Sequence, residues 1–267
     1  MSGDSTISSI YGSGVTQAEF KQFQFETAQL VASQFSESPF CWIKTVETLA
    51  QARHEIALKQ GSVDKEDFGE LINNEEYIAY TPVTGRYEQY YNYHKKYATD
   101  GNTIRTASGF HHLFELDSKQ YELCSIMPWK GGVFWMRQPS IFNNTSLHET
   151  IIDRFRELVA CEDIDLNQFV KKMGVLHYLL SRVVLAKRGS AWMYQTLMMA
   201  FAIKRGYSLS FNSHTMPDVL AIAHPDPLKY AEIYANELVV LTPIEKRATP
   251  FCDGINTKDS SSTACER

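Results

Sequence analysis

The sequence predicts a mainly α-helical protein of the α+β class, with a small antiparallel β lobe. Apolar residues recur at helical spacing, together with helix-start signals, in residues 15–72 and again in residues 146–241. Residues 77–145 differ, since they are rich in tyrosine and β-type residues divided by Gly, Asn and Asp. We therefore expect one domain over residues 15–245, a disordered lead-in at 1–14 and a flexible tail at 251–267.

The N-terminal part is predicted to hold two helices. Thr16 and Glu19 have the spacing of a capping box, in which each residue satisfies a free N–H group of the other. Ser38-Pro39 is typical of a helix start, because proline fits the first turn, and Gly61 is typical of a helix end. A short helical piece is expected near Lys65–Leu71.

The middle of the chain predicts a loop followed by short antiparallel strands. The loop YIAYTPVTGRYEQYYNYHKKY is dense in tyrosine, and the segments SGFHHLFEL, YELCSIM and GGVFWMRQ carry β-type residues between turn residues. We expect these strands to form a small sheet that packs on the helices.

The C-terminal part is predicted to be helical to near Leu241. Helix starts are indicated by a second capping-box spacing, Ser146 with Glu149, and by Asp165. The helices after Asp165 are expected over about Leu166–Leu185, over Gly189–Arg205 with Gly206 behind it, from Pro217-Asp218 as a short helix, and from Pro227 through Leu238.

Composition and charge exclude several classes of protein. The net charge of −5 argues against bulk nucleic-acid binding, since no basic stripe dominates. Basic residues do cluster around Arg188, which suits a small anionic ligand; they are Lys171, Lys172, Lys187, Lys204 and Arg205. No apolar run approaches the roughly 20 residues that a membrane span needs.

No targeting signal is expected from the first residues. The first residues lack the pattern of a signal peptide, and Ser2 stands where N-myristoylation needs glycine. The expected location is the cytoplasm, or the cytoplasm of a host cell if the chain comes from a pathogen. The five cysteines have no CxxC spacing and are interpreted as reduced thiols.

The strongest candidate for a binding motif is Arg188-Gly189-Ser190-Ala191. A helix is predicted to start here, so the N–H groups of Gly189 and Ser190 lack intrahelical partners and share the positive end of the helix dipole. Arg188 adds a fork of donors that matches two phosphate oxygens. The motif therefore predicts an anion site. The alternative is that Ser190 only caps the helix while Arg188 pairs with a surface carboxylate.

Four further residues are candidates, each with an ordinary structural alternative. His177 lies about three turns before Arg188 and is either a positioning or general-base residue or a hydrogen-bonded core residue. Asp218 either stabilises its helix start or binds Arg188 or sugar hydroxyls. Thr81 and Tyr87 either close over a base or sugar or serve as packing surface.

Other sites and enzyme classes are not supported by the sequence. His111-His112 with Glu115, and His148-Glu149, are only fragments of a metal-ligand pattern, so no metal site is expected. The chain has no Walker GxxxxGK[ST], no GxGxxG before a helix and no GxSxG. These absences exclude a standard P-loop enzyme, Rossmann dehydrogenase or α/β-hydrolase.

Taken together, these blocks resemble the AvrB family of avirulence effectors, a branch of the Fido (Fic, Doc, AvrB) superfamily. The resemblance is clearest over about residues 166–238: His177-Tyr178-Leu179, the RGSA box, Arg205-Gly206, Pro217-Asp218, and the pattern of Tyr230, Tyr234 and Leu238. A second match is Tyr80-Thr81-Pro82-Val83 with Tyr87. The resemblance implies a Fido-like helical core.

The resemblance also implies a function. Thr81, Arg188 and Asp218 would line the cleft for a nucleotide or nucleotide sugar, with His177 and Tyr87 at its border. AvrB-like proteins are implied to transfer rhamnose, a deoxysugar, from a nucleotide donor to a threonine of a host immune regulator. The expected substrates are a UDP- or dTDP-linked sugar and an acceptor protein, without a cofactor.

Two alternatives remain open at this point. Nucleotidyl transfer to a protein hydroxyl is one, although the Fic signature HPFxxGNGR is missing. A non-catalytic module that binds a partner peptide is the other. A monomer is favoured.

Overall fold

The computed structural model describes residues 15–36, 41–73, 77–82, 103–106, 109–128, 134–143, 145–161, 163–212, 216–224 and 226–245. In these residues the fold is mainly helical with antiparallel sheet, so the predicted fold class is confirmed. The predicted lead-in and tail, Ser38-Pro39 and Tyr87 lie outside the described residues. No described helix combines the length and apolarity that a bilayer span requires.

Seven α-helices form the larger part of the described fold. They are α1 (Gln17–Gln34), α2 (Trp42–Gln60), α3 (Thr145–Ala160), α4 (Leu166–Ser181), α5 (Ser190–Lys204), α6 (Pro217–Ala223) and α7 (Pro227–Ile233). A π-helical turn, Tyr234–Leu238, continues α7. The short helical piece expected near Lys65–Leu71 is a 3-10 turn over Lys65–Asp67.

Several predicted helix ends are confirmed by their local hydrogen bonds. The Glu19 N–H donates to Thr16 Oγ1 at 3.2 Å, and the Thr16 N–H donates to Glu19 Oε2 at 2.7 Å, which completes the capping box. Asp165 Oδ1 accepts from the Gln168 N–H at 3.0 Å and caps α4. Gly61 ends α2 in the left-handed conformation, with φ of 62°.

Two predicted helix boundaries are wrong. Ser146 lies inside the first turn of α3, where its carbonyl accepts from the Thr150 hydroxyl at 2.8 Å, so it is not the predicted cap. Helix α4 ends at Ser181 rather than near Leu185. The chain leaves the helix there because residues 183–188 form bridges with distant segments, at Val184 with Ser140, Ala186 with Leu71, and Arg188 with Phe68.

The C-terminal part also contains a sheet that was not predicted from the sequence. Strands β6 (Tyr207–Phe211) and β7 (Val239–Pro243) pair as an antiparallel ribbon, with Leu209 opposite Leu241. The prediction of helix to near Leu241 is therefore wrong. Each strand is five residues long, which is too short to show a clear period of two beside strong helical patterns.

The predicted β lobe is a five-stranded antiparallel sheet. Its strands are β1 (Ile78–Pro82), β2 (Thr103–Thr106), β3 (Gly109–Leu116), β4 (Lys119–Pro128) and β5 (Phe134–Pro139), in the order β1-β5-β4-β3-β2. The chain returns from β5 directly to the helical core, where the Val184 N–H donates to the Pro139 carbonyl at 3.0 Å.

Helix α5 is buried among the other helices and fixes the position of its own first turn. Phe201 of α5 packs on Phe35 and Phe155, with ring centroids 5.0 and 5.3 Å apart. The amide of Gln24 on α1 donates to the Thr196 hydroxyl at 3.1 Å. Since each buried aromatic side chain contributes roughly 1.5–3 kcal/mol, this packing holds α5 rigidly.

Candidate functional site

The start of α5 lacks a side-chain cap in the part of the chain that the structure describes. Gly189 is the N-cap residue, with φ of 91°, and no side chain of the described residues caps this helix end. The N–H groups of the first turn therefore keep the partial positive charge of the helix dipole. The start of the observed helix, Ser190, agrees with the predicted position of the RGSA box to one residue.

The backbone before this helix start is held by an edge-to-edge pairing. The Arg188 N–H donates to the Asp67 carbonyl at 3.1 Å, and the Gly69 N–H donates to the Arg188 carbonyl at 3.1 Å. Gly69 lies so close to α2 that a Cβ atom there would meet the Ala50 oxygen at 2.0 Å. These main-chain hydrogen bonds hold the backbone of Arg188 in place, and they do not involve its side chain.

The Ser190 hydroxyl is used by the protein itself. It accepts from the N–H groups of Leu185 and Ala186, at 3.2 and 3.1 Å, and donates to the Ala186 carbonyl at 3.1 Å. These three bonds close the turn that leads into α5. Ser190 can therefore offer its backbone N–H to a ligand, while its hydroxyl is already engaged.

Arg188 is exposed and paired. Its Nη1 donates to Asp64 Oδ2 at 2.9 Å, with 44% and 59% of the two side chains accessible. The guanidinium also lies 4.8 Å from the centroid of the Phe68 ring. The predicted alternative, in which Arg188 pairs with a surface carboxylate, describes its present contact, and that carboxylate is Asp64 rather than Asp218.

A second arginine, Arg53 of α2, lies at the same place and was not predicted. Its side chain is 8% exposed, and its guanidinium lies 4.1 Å from the centroid of Phe68, the ring that Arg188 also approaches. Burial and the charge of Arg188 lower the pKa of Arg53 to about 10, so it stays charged at neutral pH. The sequence did contain a signal, because Arg53 falls on the apolar face of α2 with Val46, Leu49, Ala50 and Ala57.

Trp192, in the first turn of α5, completes this cluster. Its ring packs between α1 and α2, 6.4 Å from Phe20 and 6.5 Å from Phe23 by centroid. The Arg53 guanidinium lies 6.0 Å from the indole ring. We call Arg53, Phe68, Arg188, Gly189 and Trp192 the α5-mouth cluster.

His177 belongs to a separate, fully buried cluster. It is 0% exposed, and its Nδ1 lies 3.0 Å from the Tyr230 hydroxyl oxygen. Because that hydroxyl donates to the Pro217 carbonyl at 3.0 Å, its oxygen accepts from the Nδ1–H of His177. Burial lowers the pKa of His177 to about 3. The predicted catalytic or cleft-bordering role of His177 therefore needs correction, since a substrate cannot contact this ring in the observed fold.

The buried cluster is held together by close packing of α4 on α7. A Cβ atom at Gly174 would lie 3.0 Å from Ala231 Cα and 3.0 Å from Tyr234 Cβ, so glycine permits the approach. Asp218 sits at the start of α6 near this cluster, and its charge helps burial and Tyr234 to raise the pKa of Tyr230. Asp218 thus lies close enough to Tyr230 to affect it electrostatically.

The remaining candidates are placed only in part. Thr81 lies on β1, where its backbone pairs opposite Met136 of β5. Tyr87 is outside the described residues. Among the residues that the structure describes, no group of three His, Cys, Asp or Glu side chains is arranged to hold a metal ion. The structure therefore separates the predicted site into the α5-mouth cluster and the buried His177 cluster.

Comparison with known proteins adds no family to this geometry. No protein-family model matches the chain, and no curated protein matches it significantly.

Proposed function

We propose that this protein is a glycosyltransferase that binds a nucleotide sugar at the α5-mouth cluster and moves its deoxysugar to a Ser or Thr hydroxyl of a target protein. The observation that carries the proposal is the uncapped start of α5 beside Arg53 and Arg188, two guanidinium groups that approach one ring. Two cations at the positive end of a helix favour a ligand with several negative charges, such as a nucleotide diphosphate. The resemblance to AvrB-like proteins supports the choice of a deoxysugar and of a protein acceptor.

The proposed reaction uses the cluster to stabilise the leaving group. The bond between the anomeric carbon and the diphosphate oxygen breaks, and its electron pair stays with the nucleoside diphosphate. Arg188 and the N–H groups of α5 stabilise this charge. The acceptor oxygen bonds to the anomeric carbon, and its proton passes to a diphosphate oxygen. His177 takes no part, because it is buried.

Arg188 must exchange Asp64 for the ligand in this scheme. Both side chains are substantially exposed, and exposed ion pairs contribute only about 0–1 kcal/mol. A bidentate contact to a diphosphate is stronger than such a pair, so the exchange is favourable.

The proposal is tested by calorimetry with UDP-, dTDP- and GDP-sugars and with ATP. We expect a UDP- or dTDP-deoxysugar to bind selectively, and Arg188→Ala to weaken this binding at least tenfold. Arg156→Ala is the matched control, because Arg156 is an exposed arginine that pairs with Asp153 at 3.4 Å on α3. The affinity of this control variant for the nucleotide sugar should equal that of the unmodified protein.

Mass spectrometry of acceptor proteins then identifies the transferred group. The gain of a deoxyhexose, lost in Arg188→Ala, supports glycosyl transfer. The gain of a nucleoside monophosphate would replace the proposal by nucleotidyl transfer. Absence of binding across the whole panel would contradict both and favour a peptide-binding module.

A further inference from the structure

Two buried side chains beside the start of α5 have N–H donors without acceptors. Arg53 and Trp192 are each 8% exposed. Nε and Nη1 of Arg53, and Nε1 of Trp192, are buried and have no hydrogen-bond partner among the described residues. Buried donors are nearly always paired, and an unpaired charged donor is the most unfavourable kind, so these three atoms require an explanation.

The two side chains with unpaired donors lie beside the start of α5. The Arg53 side chain lies across Gly189, since a Cβ atom there would be 2.7 Å from Arg53 Cγ and 2.9 Å from its Nε. The Trp192 indole is on the first turn of the same helix and lies 6.0 Å from the Arg53 guanidinium. The unpaired donors of Arg53 and Trp192 therefore belong to two side chains that lie beside the first turn of α5.

We infer that Arg53 and Trp192 form a phosphoryl-binding subsite at the start of α5, with Gly189 as its floor. The inference rests on the proposed function, because it names the residues that hold one phosphoryl group of the donor. It also goes further, since such a subsite binds inorganic phosphate or pyrophosphate without any sugar. A tetrahedral oxyanion fits better than a planar carboxylate, because its oxygens accept from several directions.

Phe68 explains how the subsite is closed in the observed structure. Its half-buried ring contacts both arginines, with its centroid 4.1 Å from the guanidinium carbon of Arg53 and 4.8 Å from that of Arg188. In the inferred binding event this ring rotates and Arg188 leaves Asp64, which exposes the buried Arg53 donors. The bound anion then contacts both arginines and accepts hydrogen bonds from the donors that lack partners.

The alternative is a purely structural Arg53 that is satisfied by its stacking on Phe68. The two interpretations differ in one observable, which is the response of the Trp192 indole N–H to phosphate. If Arg53 is purely structural, phosphate leaves the NMR signal of this N–H unchanged. If the phosphoryl subsite exists, the N–H gains a charged hydrogen-bond acceptor.

The first test is a ¹H–¹⁵N NMR titration of the full chain with pyrophosphate at constant ionic strength. The sequence has four tryptophans, so four indole signals are expected. The signal that is lost in Trp192→Phe is that of Trp192. We expect the Trp192 indole proton to move downfield and saturate while the other three stay in place. If no indole signal shows a saturable change, the inference is wrong.

The second test measures pyrophosphate affinity by calorimetry in three variants. Arg53→Lys keeps a positive charge and loses the guanidinium donors, and Trp192→Phe keeps an aromatic ring and loses the N–H. Each should weaken binding at least tenfold. Lys59→Gln is the control, because Lys59 is an exposed cation on the same helix, 5.0 Å from the Phe23 ring, and its loss should change affinity less than twofold.

The outcomes separate this inference from the proposed function. If pyrophosphate binds through Arg53 and Trp192 but no sugar is transferred, the subsite stands and the function fails. If nucleotide sugars bind through Arg188 while folded Arg53→Lys and Trp192→Phe proteins bind them normally, the function stands and the subsite fails. Should Arg53→Lys not fold, Trp192→Phe and the NMR titration decide the question.

Discussion

The side chain of Arg53 lies across the Cα atom of Gly189, and the contact leaves no space for a Cβ atom at position 189. Glycine is also required there by the backbone, whose φ is 91°. The contact joins the apolar face of α2 to the start of α5. It therefore makes the geometry of the proposed anion site depend on one residue that has no side chain.

Replacement of Gly189 by alanine should destabilise the protein through both effects. The left-handed backbone costs an L-residue about 1–2 kcal/mol, and displacement of Arg53 adds to this. Gly206→Ala is the matched control, because Gly206 has φ of 82° but nothing within 4 Å of its added Cβ. Urea denaturation should show Gly189→Ala to be the less stable variant by at least about 1 kcal/mol. Equal losses of stability in the two variants would mean that Arg53 moves aside without a free-energy cost.

Neutralising Asp64 should strengthen anion binding. Asp64 competes with a bound phosphate for Arg188, so Asp64→Asn releases the guanidinium. Asparagine also tolerates the left-handed φ of 55° at this position, so the fold is preserved. We expect pyrophosphate affinity to rise by up to about fivefold, which corresponds to the ~1 kcal/mol upper range of an exposed ion pair. A weaker affinity in calorimetry would show that Asp64 helps to form the site.

His177 should make stability fall as the solution is acidified. Its pKa is about 3 in the fold against 6.5 for an exposed imidazole, so between these values the unfolded chain binds the proton and the folded chain does not. Stability is therefore lost as pH falls below 6.5, by at most about 1.4 kcal/mol per pH unit. Urea denaturation at several pH values measures this slope.

His177→Phe is the comparison variant for that slope. It keeps an aromatic ring and has no proton to bind, so its stability should depend less steeply on pH than that of the unmodified protein. Burial also lowers the pKa values of His148 and His224, and their contribution remains in both proteins. Identical slopes would show that His177 is not the buried neutral imidazole described here. Pyrophosphate binding should be the same in both proteins.

Loss of the Ser190 hydroxyl should affect stability. Ser190→Ala leaves the buried N–H groups of Leu185 and Ala186 without their acceptor, which should cost about 2–4 kcal/mol in urea denaturation. Ser210→Ala, at an exposed position on β6, should change stability by less than about 0.5 kcal/mol. If the two variants are equally stable, the turn before α5 does not depend on this hydroxyl.

Local signals in the sequence were sufficient for much of the helical fold. The caps at Thr16 and Asp165 and the prolines at the starts of α6 and α7 are satisfied within three or four residues, so neighbouring residues reveal them. The end of α4 could not be predicted from neighbouring residues. Residues 183–188 find their partners near Phe68 and Ser140, which are remote in sequence.

Only the part of the candidate site that depends on adjacent residues was predicted. The RGSA box marks a helix start through adjacent residues, and the structure places that start at Ser190. Arg53 belongs to the same cluster through folding alone, about half of the chain away. His177 shows the opposite error, because its place in the motif suggested chemistry, whereas its surroundings on α4 and α7 make it a core residue.

The pairing of residues 183–188 has a consequence for the order of folding. This segment takes hydrogen bonds from Ile72 and Gly69 on one side and from Ile141 on the other, so its two borders come from segments made early and midway along the chain. Contacts between such distant segments form slowly, because each must overcome the entropy of closing a long loop. The first turn of α5 should therefore mature in the last stage of folding, after the helices and the β lobe have each taken shape.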